Sequence, residues 1–159
     1  MSEYIHKIQK CLETSKTNGK SLNIGIDGLS GDSLVGFLQR AVDLHSENKD
    51  EIYLEIGVFK GYTLTSVAAC NPSVACFGVD NYSKYDEEGT NKKTAVSRAD
   101  EFTSGNVTFI DEDFEEAMLN LETFVGNKRI GTYFIDGPHD YRSQYLCLEY
   151  AKKYLSDDC

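Results

Sequence analysis

A chain of 159 residues with a 40% hydrophobic share has enough apolar material for one buried core, so a single domain over residues 1–159 is expected. The formal net charge of −10, from 26 acids against 16 lysines and arginines, opposes a phosphate backbone and argues against nucleic acid as a partner. No stretch reaches the roughly 20 apolar residues of a membrane span, Met1-Ser2-Glu3-Tyr4 lacks the pattern of a secretory signal, and Cys11, Cys70, Cys76, Cys147 and Cys159 lack metal-site or redox pairing. A cytoplasmic chain with reduced thiols and no membrane contact is expected.

Tyr4, Ile5, Ile8, Cys11 and Leu12 recur at helical spacing, and so do Leu34, Phe37, Leu38, Ala41, Val42 and Leu44. Two N-terminal helices therefore occupy residues 1–48. The loop between them carries Gly25, Gly28 and Gly31, and Asp32 or Ser33 is placed to cap the second helix.

From residue 50 the pattern changes. Ile52–Ile56, Val74–Val79, Val107–Ile110 and Thr132–Ile135 are nearly continuous apolar runs, as parallel strands covered on both faces should be. Helical segments at Gly61–Cys70, Asn91–Phe102, Phe114–Val125 and Tyr141–Leu155 alternate with them. This order predicts an α/β fold over 50–159, a doubly wound parallel sheet with right-handed crossovers. The polar stretch Asn81–Lys93 is expected to be a mobile loop or part of a lid. Only Ser156-Asp157-Asp158-Cys159 follow the last predicted helix, so no fifth strand is expected. The sheet edge would then stay open, in a domain truncated after the helix that follows strand 4.

Ligands of open α/β sheets bind outside the carboxyl ends of the strands, near the point where the strand order reverses. The first strand runs into Glu55-Ile56-Gly57-Val58-Phe59-Lys60-Gly61-Tyr62-Thr63, an acid followed by two glycines four apart and a helix. Gly57 would let the backbone approach a ligand, and Gly61 would admit a tight entry into the helix. There the free N–H groups of the first turn, at Tyr62 and Thr63, favour a carboxylate. A dinucleotide loop needs Gly-x-Gly-x-x-Gly and no acid aimed at the pyrophosphate. Glu55 repels phosphate and attracts an ammonium group.

Asp80, at the end of the second strand, can accept from both hydroxyls of a ribose, or can simply order its loop. After the third strand, Asp113 can accept from an adenine amino group with Phe114 against the ring. It can equally cap the helix that starts at Phe114. The fourth strand ends in Ile135-Asp136-Gly137-Pro138-His139-Asp140-Tyr141, where Asp136 and His139 are candidates for proton transfer. The alternative there is a helix-capping turn.

Glu55-Ile56-Gly57 with Gly61, Asp80 after an apolar strand, and the turn at Asp136 together resemble the class I S-adenosylmethionine-dependent methyltransferases. More narrowly, residues 50–155 resemble the macrocin-type O-methyltransferase and cephalosporin hydroxylase-like group, whose fourth strand ends in Ile-Asp-Gly-Asp-His-Ser-Tyr. Pro138 and Asp140 depart from that pattern. The resemblance implies S-adenosylmethionine as cofactor, held by Glu55, Gly57, Gly61, Tyr62, Thr63, Asp80, Asp113 and Phe114. It also implies a small-molecule hydroxyl as acceptor, Asp136 and His139 as catalytic residues, and a magnesium ion at Asp136 whose other acid ligands would lie beyond residue 159. A homo-oligomer is compatible with this. A non-catalytic cofactor-binding module and an NAD-linked oxidoreductase are the competing readings.

Overall fold

The computed structural model of the chain describes residues 3–159; Met1 and Ser2, part of the predicted N-terminal helical region, lie outside it. The elements in chain order are α1 (Glu3–Asn18), α2 (Asp32–Asp43), β1 (Glu51–Ile56), α3 (Tyr62–Cys70), β2 (Ala75–Val79), α4 (Asn91–Phe102), β3 (Val107–Ile110), α5 (Phe114–Leu119), α6 (Glu122–Val125), β4 (Arg129–Ile135) and α7 (Tyr141–Ala151).

The strands form one parallel sheet in the order β3-β2-β1-β4. Successive side chains of a strand point to opposite faces, and in β1 both faces are buried. Ile52, Leu54 and Ile56 join Phe77, Val79, Met118, Leu121 and Cys147 in one core. Tyr53 joins Leu38, Val42, Leu64, Val67 and Cys76 in another. The continuous apolar runs of the sequence are therefore two alternating stripes, each with its own helical layer. No helix among the described residues is long and apolar enough to cross a membrane.

The N-terminal segment is tied onto this sandwich by buried polar groups. Gln39 on α2 accepts from the Ser21 N–H at 2.7 Å and donates to the Leu22 and Ser66 carbonyls at 2.9 and 3.0 Å. Arg40 donates to the Gly19 and Gly36 carbonyls at 2.8 and 2.9 Å, closing the end of α1 onto α2. The Gln39 amide and the Arg40 guanidinium thereby find partners that solvent would otherwise supply.

Four expectations change. Neither Asp32 nor Ser33 caps α2: Gly31 takes the cap position without a side-chain bond, and Asp32 instead pairs with Lys20 at 3.2 Å. The predicted helix over Phe114–Val125 breaks at Asn120-Leu121 into α5 and α6. β4 starts at Arg129, ahead of Thr132, because Gly131 sits against His45 and Glu51 where a side chain would clash. Lastly, α7 stops at Ala151 and the chain does return to the sheet. Leu155 bridges Ile130 in parallel, with Ile130 N–H donating to the Tyr154 carbonyl at 2.8 Å and Ser156 N–H to the Ile130 carbonyl at 3.0 Å. The β4 edge thus receives a single isolated parallel bridge from the C-terminal segment.

Candidate functional site

The strand order reverses between β1 and β4, since β2 and β3 extend to one side of β1 and β4 lies on the other. The crevice rule places a ligand at the carboxyl ends of these two strands. Glu55, Asp80 and Asp136 converge there, on the ends of β1, β2 and β4.

Glycine 57 holds this rim together. It adopts φ +92, and a Cβ built on it would lie 2.6 Å from the Asp136 carbonyl and the Gly137 Cα. The Asp136 N–H donates to the Ile56 carbonyl at 2.8 Å. The close backbone approach expected of Gly57 is therefore to the β4 turn. Gly61, at φ +74, caps α3 in the left-handed region and leaves room for Ala95 of α4.

Asp80 orders the loop after β1. Its Oδ2 accepts from the Val58 and Phe59 N–H groups, both at 2.8 Å, and Oδ1 accepts from the Tyr82 N–H at 2.7 Å. These bonds hold Phe59 and Tyr82 at positive φ, each at +52, a conformation that costs a non-glycine residue on the order of 1–2 kcal/mol. A carboxylate has about four acceptor positions, so three N–H bonds leave one for a ligand hydroxyl.

Glu55 is the least ordinary group of the site. Its side chain is only 1% exposed, Oε2 accepts from the Tyr53 hydroxyl at 2.7 Å, and buried Oε1 has no hydrogen-bond partner among the described residues. Burial pushes the carboxyl up to about 8; the Tyr53 bond opposes this, and the charges of Asp136 and Asp80 add to it. A buried acid with one open oxygen is stabilised by a cationic partner, which a ligand ammonium provides.

The remaining candidates divide. Thr63 is buried at the start of α3. Tyr62 turns toward the N-terminal segment: its hydroxyl accepts from Lys20 Nζ at 3.2 Å, and its ring fills the space a Cβ on Gly28 would need. Asp113 caps α5 by accepting from the Glu115 N–H at 2.9 Å, while Oδ2 accepts from Asn81 at 3.4 Å and the residue stays exposed. The neighbouring Asp111 pairs with Lys92 at 2.5 Å, and Phe114 packs against the core. Asp136 and His139 are both exposed, with Oδ1 and Nε2 3.7 Å apart, and Asp140 caps α7 by accepting from the Ser143 N–H at 3.0 Å. Cap and candidate proton carriers thus share one turn.

No group of three or more His, Cys, Asp or Glu side chains among the described residues is arranged to hold a metal. Asp136 with His139 alone does not fit the several oxygen ligands magnesium requires. The predicted loop Asn81–Lys93 is internally bonded: Asp86 accepts from the Thr90 N–H at 2.7 Å and Asn91 donates to the Tyr85 carbonyl at 2.8 Å. Tyr53 was not among the residues expected at the site, although the two-residue spacing to Glu55 puts both on one strand face.

A family model described as a methyltransferase domain matches residues 54–159. Among solved structures, the chain is similar to CalS11, a calicheamicin methyltransferase, with a TM-score of 0.60 and 14% identity over 99% of this chain and 76% of that one. It is also similar to the apo form of CalS11, described as TDP-rhamnose 3'-O-methyltransferase, with a TM-score of 0.56 and 18% identity over the same shares. A search of curated proteins returns no match. The structural likenesses show the shared fold, and the family match covers the chain from Leu54 in β1 onward, including every strand-end acid described above. The chain belongs to this methyltransferase-domain family and is a class I S-adenosylmethionine-dependent methyltransferase.

Proposed function

We propose that the chain methylates a hydroxyl oxygen of a small molecule, with the cofactor lying across the carboxyl ends of β1, β2 and β3 and the acceptor beside β4. The observation that carries this reading is the buried Glu55 carboxylate with its open Oε1 at the reversal of strand order. Glu55 binds the ammonium of the methionine moiety, and the first turn of α3, with Gly61, Tyr62 and Thr63, faces its carboxylate. Asp80 uses its remaining acceptor position for the ribose. Asp113 Oδ2 takes the adenine amino group beside Phe114, and Gly57 keeps the β1 and β4 ends close enough for one ligand to touch both.

S-adenosylmethionine supplies a methyl group on a sulfonium, which leaves as a neutral thioether when an oxygen attacks in line. Most of the rate then comes from holding acceptor and methyl in line. Asp136 removes the acceptor's hydroxyl proton as the new O–C bond forms, and exposed His139 passes the proton to solvent. The net charge of −10 favours a small acceptor over nucleic acid, as does the 3'-hydroxyl specificity in the name of the similar CalS11. Five free cysteines suit a cytoplasmic setting.

The test is a radiolabelled methyl-transfer assay over hydroxyl-bearing small molecules, including nucleotide-linked sugars. Asp136→Asn should lower turnover by about 100-fold or more while cofactor affinity changes less than about twofold. Unchanged turnover in that variant would remove Asp136 from the mechanism.

A further inference from the structure

Tyr53 and Glu55 are two residues apart on β1, so their side chains share a face of the sheet. Tyr53 is fully buried, and its hydroxyl donates to Glu55 Oε2 at 2.7 Å, within the range of a charge-assisted O–H bond. The other ionisable groups whose charges bear on this pair are Asp136 after β4, Asp80 after β2, Cys76 on β2, and Tyr82 in the loop after β2. All are acids or weak acids. Among the described residues no cation offsets Glu55, and the Tyr53 hydroxyl is the one hydrogen-bond donor to it.

A buried tyrosine hydroxyl needs a partner, and a purely structural role would be met by any acceptor. Here the acceptor is a carboxylate whose second oxygen is left open. We propose that Tyr53 is a positioning residue for cofactor binding: its hydroxyl occupies Oε2, fixes the Glu55 side chain, and presents Oε1 as the single acceptor for the cofactor's ammonium. This rests on the function proposed above. The bond has a second effect, because a hydrogen bond to the charged form favours that form and opposes the burial that keeps Glu55 protonated. Removing the hydroxyl would leave both carboxylate oxygens buried without a partner, and a bound cation would then have to displace a more tightly held proton.

The experiment is calorimetric titration of S-adenosylhomocysteine, which carries the same amino-acid moiety, into the full chain between pH 6 and 9, with affinities referred to the ammonium form of the ligand. The unsubstituted chain should bind more tightly as pH rises toward about 8. Tyr53→Phe keeps the ring and should weaken binding about tenfold at pH 7, move the pH midpoint up by about one unit, and show a smaller deficit against the unsubstituted chain at pH 9 than at pH 7. At saturating cofactor its kcat should stay within about twofold, so the loss falls on KM for the cofactor. Glu55→Gln should bind weakly with no pH midpoint, and adding Tyr53→Phe to it should change affinity little.

Equal affinity of Tyr53→Phe and the unsubstituted chain at every pH would overturn the proposal. So would the same loss at every pH and in the Glu55→Gln background, as expected of a structural defect. Glu55→Gln tests it independently of how Tyr53→Phe folds, since unaltered binding and pH dependence there would also overturn it. Failure of the unsubstituted chain to bind at any pH would instead overturn the functional reading itself, before any substitution is compared.

Discussion

Glu55 meets opposing demands in the free and the bound protein. Without ligand, burial raises its carboxyl to about 8 from an ordinary 4.5, so the folded chain holds a proton that the unfolded chain releases. Stability from this residue is fully present below about pH 4.5, falls by about 1.4 kcal/mol per pH unit between the two values, and levels off above about 8. Urea unfolding of the ligand-free chain against Glu55→Gln should show this difference in slope; parallel pH profiles would remove the buried, proton-holding carboxyl from the account. The same proton must leave when a cationic ligand binds below pH 8. Strand-end acids were legible in the sequence because Asp80 and Asp136 directly follow apolar runs and Glu55 interrupts one near its end. Tyr53 was not, since a tyrosine inside a buried strand reads as core until its hydroxyl is seen to have a partner. The loop bonds of Asp80 were equally hidden, because they depend on Phe59 and Tyr82 taking up strained backbone.

At the scale of elements, two glycines of positive φ should respond differently to substitution. Gly126, at φ +63 and ψ −134 after α6, has nothing within 4 Å of an added Cβ, so Gly126→Ala should cost only backbone strain, about 1–3 kcal/mol. Gly57→Ala, at φ +92, meets backbone strain and also the Asp136–Gly137 backbone at 2.6 Å, so it should cost roughly 2 kcal/mol beyond its strain. It should also pry the β1 and β4 ends apart and weaken cofactor binding. Denaturant unfolding and calorimetry measure the two effects; equal costs would mean that the rim is not tightly packed. Asp113→Ala should lower stability by about 1 kcal/mol through loss of the α5 cap. A fall in affinity for the cofactor beyond that loss would show its free oxygen in use. Helix boundaries were misread where periodicity outlasts the helix. Ala117, Met118, Leu121 and Val125 keep one buried face across the break between α5 and α6, and Tyr154 and Leu155 stay apolar because one enters the core and the other bridges β4.

For the whole molecule, the alternation of strands and helices gave the parallel α/β class, while the sheet order needed coordinates. Apolar runs buried on both faces carry no label for their neighbours, so nothing in β4 itself shows that it pairs with β1 on the side away from β2. That order brings scattered acids together into one candidate site. It sets Glu55, Asp80 and Asp136 along one rim, in a chain whose net charge of −10 suits a cationic ligand. Binding to the folded form alone should also stabilise it, by about 2.7 kcal/mol at a hundred times Kd. The most direct measurement is a crystal structure of the chain with S-adenosylhomocysteine. The ligand should span the carboxyl ends of β1 and β2, with its ammonium within hydrogen-bond distance of Glu55 Oε1, a ribose hydroxyl at Asp80, and its sulfur facing Asp136. A ligand bound elsewhere, or one that leaves Glu55 Oε1 unpartnered, would contradict it.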